Sequence, residues 1–223
     1  MLFPIGDDNI RGGHPPVFSH GFLLLNIAVF IFQVSMPANV QASFVETWGV
    51  VPYEIVQGFD LQTLFTSIFM HGSWLHLLGN MLYLWIFADN IEAVIGNFRF
   101  VLFYLTGGLL ASLAQVLIEP TSGIPLVGAS GAIAAVMGAY FIMFPGSRVR
   151  MFFLIFFIVF YVPSWVFLGL WFAQQAISGF GVLGASPETG GIAWWAHIGG
   201  FVFGVVAGFY YREKFHTRQI YRR

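Results

Sequence analysis

Long runs of hydrophobic residues dominate the chain, and polar residues are confined to short intervals between them. A membrane-spanning helix needs about 20 mostly apolar residues, because each residue advances it by about 1.5 Å across a hydrocarbon core of about 30 Å. Six runs meet or approach this length. They predict spans at residues 17–36, 74–91, 100–118, 130–144, 151–172 and 192–211. The expected fold is an all-α, polytopic membrane protein in which residues 1–223 form a single domain, a six-helix transmembrane bundle.

Composition supports this interpretation. The chain is 58% hydrophobic and 9% charged, whereas a soluble domain is about half apolar and about a quarter charged. It contains no cysteine, which excludes a disulfide framework and a cysteine-ligated zinc site. The net charge of −1 gives no reason to expect a nucleic-acid partner. Acids and an early proline occupy the N-terminal segment, so a cleaved signal peptide is not expected.

The basic residues predict the orientation of the bundle. Lysine and arginine are retained on the cytoplasmic side of a membrane, whereas acids contribute little. All nine lie before the first span, between the second and third, between the fourth and fifth, or after the sixth. These positions are all on one side of a six-span bundle. They are Arg11, Arg99, Arg148, Arg150, Arg212, Lys214, Arg218, Arg222 and Arg223. Both termini are therefore expected in the cytoplasm, and the topology fits a bacterial inner membrane. Five or seven spans would scatter these bases over both faces.

The longest predicted loop, residues 37–71, lies on the opposite side from the bases. Its mixture of acids with aromatic and aliphatic residues predicts short helices at the outer membrane interface. At the other end of the second span, Asp89 and Glu92 are interpreted as structural residues that water or Arg99 can satisfy.

Three strongly polar side chains stand out inside the predicted spans: His76 and Asn80 in the second, and His197 in the sixth. Such a residue costs several kcal/mol in a membrane unless it is partnered or wetted, so each is a functional candidate. The height of each residue above the cytoplasmic end of its span can be counted at about 1.5 Å per residue. His197 is then about 22 Å and His76 about 20–24 Å above that end, and Asn80 lies one turn below His76 on the same helix face. Ser130 also lies about 22 Å above the cytoplasmic end of its span. Four polar side chains are thus expected in one layer.

Ser130 lies in the apolar run LVGASGAIAAVMGAY at the predicted start of the fourth span. Gly128 and Gly131 permit a tight turn and close approach of the backbone. The span is only about 22 Å long, so its outer end must begin in a loop sunk into the membrane. Loop backbone at that depth must be buried in protein or line a wet cavity. A recessed serine at a helix N-terminus is the expected result.

These residue types predict acyl-transfer chemistry. His197 can act as general base if it comes within about 2.6–3.2 Å of the Ser130 hydroxyl. Because no acid lies at that depth in any span, the prediction is a dyad without the acid of a triad. Asn80 and His76 would donate hydrogen bonds to the oxyanion beside the Ser130 backbone N–H. His71 and His76 are about 140° apart on a helix and make a poor metal clamp.

Gly200, Gly204 and Gly208 repeat every four residues along the sixth span. Such a small-residue stripe allows close helix contact in a membrane. The expected neighbour is the fourth span, and close packing there would bring His197 towards Ser130.

Three motifs together resemble the rhomboid intramembrane serine proteases. They are GASG at 128–131, HGSWLHLLGN at 71–80 and AHIGGFVFG at 196–204. The resemblance implies that Ser130 is the nucleophile, His197 the base, and His76 and Asn80 the oxyanion side chains. It also implies substrates that are single-pass membrane proteins, cleaved in or near their transmembrane segment without metal or cofactor. The fifth span and the outer loop would border the path of the substrate, and membrane lipids would surround the bundle.

Two positions depart from the pattern of that family. Some members carry an aromatic residue one turn after the nucleophile, which stacks on the base, but Ala134 occupies this position. Others carry a Trp-Arg pair in the first outer loop, where Trp48 has no arginine after it. His197 must therefore be oriented in another way, and no role is transferred to Trp48.

Other interpretations of the same residues stay open at this point. Ser130 could be a small residue at a helix contact, and His76 and Asn80 could only tie helices together. A catalytically inactive relative that binds membrane clients would share the fold but lose Ser130 or His197, and the presence of both residues favours activity. A small transporter would also carry polar residues at mid-membrane, although it usually shows charged relays or symmetric halves. The sequence does not indicate the oligomeric state.

Overall fold

A computed structural model describes residues 2–8, 10, 12–183 and 192–215. Within these residues there are nine α-helices, one 3₁₀ helix and three β-strands. The helices are α1 (Val17–Ser35), α2 (Ala38–Trp48), α3 (Pro52–Val56), α4 (Thr63–Thr66), α5 (Trp74–Ile95), α6 (Asn97–Ile118), α7 (Ser130–Met143), α8 (Ser164–Gly181) and α9 (Trp194–Lys214), and the 3₁₀ helix is Ser67–Phe69. The strands are β1 (Leu2–Gly6), β2 (Arg148–Phe153) and β3 (Ile158–Pro163).

Five of the six predicted spans coincide with helices, namely α1, α5, α6, α7 and α9. Among the described residues, α1 and α6 are long and apolar enough by length and composition to cross a membrane. The predicted outer loop contains α2, α3, α4 and the 3₁₀ helix. The protein is therefore mostly helical, with short helices between the first two long ones.

The predicted span 151–172 is wrong in its first half. Residues 148–163 form a β-hairpin, and α8 begins only at Ser164, directly after Pro163. The run MFFLIFFIVFYV is apolar throughout, and hydrophobicity without a period does not separate strand from helix. Its aromatic and β-branched residues favour a strand, and Pro163 precedes the helix at a position where its missing N–H is not needed.

A small sheet is the feature that the all-α prediction missed. Its strand order is β1-β2-β3, with both neighbouring pairs antiparallel. Val149 and Met151 on the central strand are buried against the helices, whereas Arg148 and Arg150 point away from them. The sheet thus adds the N-terminal segment to the end of the bundle where α7 stops and α8 starts.

Helix α7 lies at the centre of the bundle. Twelve of its fourteen residues are buried, and it packs against α5, α6, α8 and α9. The closest neighbour is α9: a Cβ added to Gly200 would lie 2.2 Å from the Gly131 carbonyl oxygen, and one added to Gly204 would lie 2.0 Å from the Ala135 carbonyl oxygen. At Gly208 the nearest atom, Cα of Ala139, would be 3.0 Å away. The α7 and α9 backbones therefore touch along the whole glycine stripe.

The described basic residues contact the end of the bundle where α7 and α9 finish. Arg212 donates to the carbonyl oxygen of Ile142 over 3.2 Å, and the Arg99 guanidinium lies 5.5 Å from the Phe215 ring centroid. Arg11, Arg218, Arg222 and Arg223, which also entered the prediction of orientation, lie outside the described residues.

Glu92 caps a neighbouring helix. No side chain of α1 caps its own N-terminus, but the buried Glu92 carboxylate accepts hydrogen bonds from the backbone N–H groups of Phe18 over 2.9 Å and Ser19 over 2.7 Å. An acid is stabilised at a helix N-terminus by the free N–H groups and the helix dipole. Glu92 is therefore structural, as expected. Its partners, however, are backbone N–H groups of α1, whereas the sequence suggested water or Arg99.

The Asp7 carboxyl ties the N-terminal segment to α5 and α7. It accepts a hydrogen bond from the Asn90 side-chain amide over 2.7 Å and another from the Tyr140 hydroxyl, which also contacts Ser147 Oγ at 2.8 Å. Beside it, Arg148 forms a salt bridge with Asp8 at 3.0 Å. Burial raises the pKa of Asp7 from its ordinary value of 3.8 to about 7.

This raised pKa predicts that the protein loses stability as the pH rises from about 4 to about 7, with no further loss from this group above that. The folded state holds a proton on Asp7 that the unfolded chain releases above its ordinary pKa of 3.8, so the stabilising contribution is complete at acid pH and is lost as the pH rises through about 7. Thermal unfolding of the detergent-solubilised protein at pH 5 to 8 measures this trend. Asp7→Asn, which cannot titrate at this position, should make the loss of stability smaller. Parallel losses in both proteins would contradict the assignment.

Candidate active site

Backbone hydrogen bonds hold the half-buried loop before α7 against the rest of the protein. Val50 and Leu126 exchange N–H···O bonds of 3.0 and 2.8 Å, and the Gly128 N–H donates to the Ser67 carbonyl over 2.9 Å. Gly128 has a φ of +134°, and an added Cβ would lie 2.8 Å from the His76 ring. Only glycine fits this conformation beside that imidazole. The motif's first glycine therefore serves the packing of His76 against the loop.

Ser130 is the first residue of α7. The N–H groups of a first helical turn have no acceptor within their own helix, and the helix dipole favours negative charge there. An added Cβ at Gly131 would lie 2.5 Å from Ala111 Cβ of α6. The second glycine thus lets α6 approach the start of α7, and the hydroxyl is placed at a helix end suited to an oxyanion.

The structure brings His197 into contact with Ser130. The distance between His197 Nε2 and Ser130 Oγ is 2.9 Å. On the other side of the ring, Nδ1 lies 2.7 Å from Oε1 of Gln175, a buried residue of α8. An amide oxygen can only accept, so Nδ1 carries the proton and Nε2 is left with a free lone pair. This is the tautomer that can accept the proton of the serine hydroxyl.

The orientation of the Gln175 amide follows from its second contact. Its Nε2 donates to Oε1 of Gln174, whose own Nε2 lies 3.3 Å from Ser178 Oγ. Because the nitrogen end is used in this way, the oxygen end faces the imidazole. A short chain of side chains on α8 therefore fixes the protonation of His197.

Two tryptophans and a second glutamine complete the surroundings of His197. The Trp171 ring centroid lies 5.9 Å from that of the imidazole, and the Trp194 ring meets it edge-on at 6.4 Å. Gln115 of α6 is buried, and its Oε1 accepts from the backbone N–H groups of Trp195 over 3.1 Å and Ala196 over 3.2 Å. It caps α9, which otherwise has no side-chain cap. These contacts hold the ring without an aromatic residue at Ala134.

Asn80 and His76 lie on the same face of α5, beside the serine. Asn80 Nδ2 contacts Nε2 of the fully buried His71 at 2.9 Å, which leaves the second amide hydrogen of Asn80 free to donate. The backbone N–H of His76 donates a hydrogen bond to Ser73 Oγ over 3.1 Å, and Ser73 thereby caps the N-terminus of α5. His71 therefore positions Asn80, a role that the sequence interpretation of His71 did not foresee.

Two cavities meet at these residues. One of about 600 Å³ reaches the loop before α7 and the start of α5, and a second of about 390 Å³ lies between α5, α7 and α8. Both are lined by all four predicted site residues, which are Ser130, His197, His76 and Asn80. Within the described part of the chain, no group of three or more histidines or carboxylates is placed to hold a metal ion.

Sequence reasoning missed Gln175, Gln115 and Trp171 as parts of the site. Gln175 fell beyond the predicted span 151–172, which was placed about ten residues too early. A usable signal was present, because a polar residue in an apolar helix is a functional candidate by default. The misplaced fifth span explains why this signal was not used for Gln175, whereas Gln115 lies inside the predicted span 100–118 and the same signal was overlooked there.

Comparison with known proteins identifies the family. The family model described as "Rhomboid domain" matches residues 58–214. The chain belongs to the rhomboid family. The candidate site lies within the matched region, and rhomboids are integral membrane proteins.

Curated relatives of this rhomboid include proteases. The chain is 27% identical to the mitochondrial Rhomboid protein 1 of Saccharomyces cerevisiae over 88% of this chain and 54% of that protein. It is 32% identical to the Putative rhomboid protease YdcA of Bacillus subtilis, over 55% of this chain and 60% of the relative. It is 30% identical to Rhomboid protease GluP of the same organism, over 56% of this chain and 24% of the relative. The chain thus spans about a quarter to three-fifths of these relatives.

Proposed function

We propose that this rhomboid is an intramembrane serine endopeptidase that uses a Ser130–His197 dyad. The 2.9 Å contact between Ser130 Oγ and His197 Nε2 carries the proposal. It lies within the distance that proton transfer requires, and it joins the two residue types expected for a nucleophile and its base. The protease names of the curated relatives agree with it.

The bundle proposed for this function comprises α1 and α5 to α9 as six membrane-crossing helices. Both chain ends would face the cytoplasm, since the described bases gather at the end where α7 and α9 finish. The bacterial inner membrane is the proposed location. The relatives come from both bacteria and mitochondria.

The proposed reaction begins when Ser130 Oγ attacks the scissile carbonyl carbon and His197 Nε2 takes the hydroxyl proton. The carbonyl oxygen becomes an oxyanion, which the Ser130 backbone N–H and the side chains of Asn80 and His76 stabilise. Collapse breaks the C–N bond, and His197 returns the proton to the leaving amine. Water then attacks the acyl-enzyme with His197 as base again, which releases the acid product and restores the serine.

In this mechanism Gln175 takes the positioning part that an acid plays in a triad. It accepts the Nδ1–H bond and so keeps Nε2 unprotonated and aimed at the serine. It is uncharged, which suits a site surrounded by apolar helices because no unpaired charge is buried when the base is neutral.

The two cavities support membrane-embedded substrates of the single-pass kind. The cavity between α5, α7 and α8 is lined by Tyr83, Met137 and Trp171, an apolar wall for a substrate segment. The larger cavity is lined by polar Ser73, Gln115 and Ser122 and reaches the outer loops, so it can supply water. Ser130 and His197 lie where the two spaces join, as hydrolysis inside a membrane requires.

The Ser130–His197 contact also separates this function from the alternatives. A client-binding relative without activity needs neither the tautomer of His197 nor a serine at a helix N-terminus. A transporter would need a polar path between the two membrane faces, whereas the two cavities converge on the dyad. We therefore propose protease activity ahead of both.

A serine-directed fluorophosphonate tests the dyad. It should label the wild-type protein at Ser130, and labelling and cleavage of a membrane-embedded reporter should both be lost in Ser130→Ala and His197→Ala. Ser35→Ala and His20→Ala change exposed residues outside the site and should preserve both signals. Native-rate cleavage by a folded Ser130→Ala protein would overturn the proposal. Labelling without cleavage of any transmembrane reporter would remove only the substrate class.

Asn80→Ala should lower kcat by about 10²-fold with little change in KM, because an oxyanion donor acts mainly in the transition state. Steady-state kinetics on the same reporter measures this split. Asn39→Ala, on the exposed part of α2, is the matched control. If turnover by Asn80→Ala equals that of the wild type, Asn80 has no role in the oxyanion hole.

A positioned general base accelerates a reaction by about 10²–10⁴-fold. Gln175→Leu should lose part of this acceleration and lower kcat by at least about 10-fold. The midpoint of its pH–rate profile should also shift from that of the wild type, because Nδ1 of His197 loses its hydrogen-bond acceptor. Gln175→Glu keeps an oxygen at that position and should retain more activity than the leucine variant. Gln174→Leu leaves the Nδ1 contact in place and should have the smaller effect. A profile unchanged in Gln175→Leu would make Gln175 a packing residue only.

A further inference from the structure

The hairpin between α7 and α8 carries a continuous exposed apolar segment. Residues 154–159, named here the hairpin tip, have the sequence LIFFIV. Ile155, Phe156 and Phe157 are 66%, 65% and 77% exposed, and the other three are exposed by 41 to 52%. No side chain of the tip can form a hydrogen bond or carry a charge. Exposed apolar patches of this kind mark sites that contact another apolar phase.

The rest of the described protein leaves the tip uncovered. At the base of the hairpin one face is covered, since Val149 and Met151 of β2 are buried. Residues 154–157 form the turn and are all exposed, and so are the successive residues Ile158 to Tyr161 of β3, whose side chains point to opposite faces of the strand. A protein partner would cover one face of such a ribbon. Exposure of apolar side chains on both faces suits immersion in lipid.

The conformation of Phe157 is a second indication. Its φ is +53°, in the left-handed region that a bulky L residue rarely adopts and where glycine or asparagine is preferred. The hairpin turn therefore places a phenylalanine where the backbone alone favours glycine. A backbone outlier of this kind points to a function for the side chain that occupies it.

The position of the hairpin identifies the apolar phase. Its two strands continue from the end of α7 and into the start of α8, two helices of a membrane protein, so its base lies at the boundary of the bilayer. The base is also where the polar groups lie: Arg150 is exposed, and the Arg148 guanidinium stacks 5.2 Å from the Tyr161 ring centroid. Arginine and tyrosine at the base with bare hydrocarbon at the tip is the arrangement of an interfacial anchor.

We propose that the hairpin tip inserts into the lipid leaflet at the α7–α8 end of the bundle, with Arg148 and Arg150 at the level of the phosphate groups. The insertion is shallow, about 5–10 Å, as for other interfacial anchors. Strand β3 is the edge of the sheet, and its outward backbone groups need water or headgroups as partners. The hairpin thus lies along the interface while its tip contacts the acyl chains. Lipid contact would fix the start of α8, which carries Gln175.

Site-specific fluorescence tests the insertion in the full chain, which contains no native cysteine. Ile155→Cys is labelled with the environment-sensitive dye NBD in nanodiscs of phosphatidylcholine and phosphatidylglycerol that hold one protein copy. Gly146→Cys, an exposed position with open space around it before β2, is the matched control. The dye at 155 should emit at shorter wavelength, resist quenching by aqueous iodide several-fold better than at 146, and be quenched by lipids with a doxyl group near the headgroup.

Equal iodide quenching at both positions, without quenching by doxyl lipids, would overturn the proposal. Protection at 155 that appears only in discs with two copies would also overturn it and would indicate contact between hairpins. Phe157→Gly supplies an independent arm, because glycine accepts the φ of +53° and should preserve folding. This second change, made in the labelled protein, should reduce doxyl quenching at 155. Unchanged quenching would exclude Phe157 as part of the anchor.

Discussion

Direct contact between the α7 and α9 backbones is the constraint on which the rest of the structure depends. A membrane offers no hydrophobic force between helices, so association relies on close packing. Here an added Cβ at Gly204 would come within 2.0 Å of a carbonyl oxygen of α7. No larger residue permits that approach. The Ser130–His197 hydrogen bond spans these two helices and exists only because their axes are so close.

The proposed dyad is held by a third helix. Gln175 of α8 binds the imidazole nitrogen that does not face the serine, and Trp171, one turn earlier on α8, lies beside the ring. This accounts for Ala134, because the aromatic and hydrogen-bonding groups of α8 orient His197 in place of an aromatic residue on α7. Activity would then depend on the position of α8, whose start is joined to the hairpin.

Buried polar side chains at helix ends perform a common task in this protein. Gln115 caps α9, and Glu92 caps α1, each from a neighbouring helix. Free backbone N–H groups cannot be left unpaired where water is scarce, so each cap satisfies donors and also locks two helices in register. The Gln115 cap lies two residues before His197, which ties the position of the base to α6.

The sequence by itself determined the mostly helical fold, the family and the four polar residues that line the cavities, because hydrophobic runs and costly intramembrane polar groups are local signals. It could not determine that residues 148–163 form strands, since a run of apolar residues without a period fits both states until β1 supplies the partner for β2. The partners of His71, Glu92 and His197 lie on other helices. Only tertiary packing decides which polar groups meet, because each pairing depends on how close two backbones come.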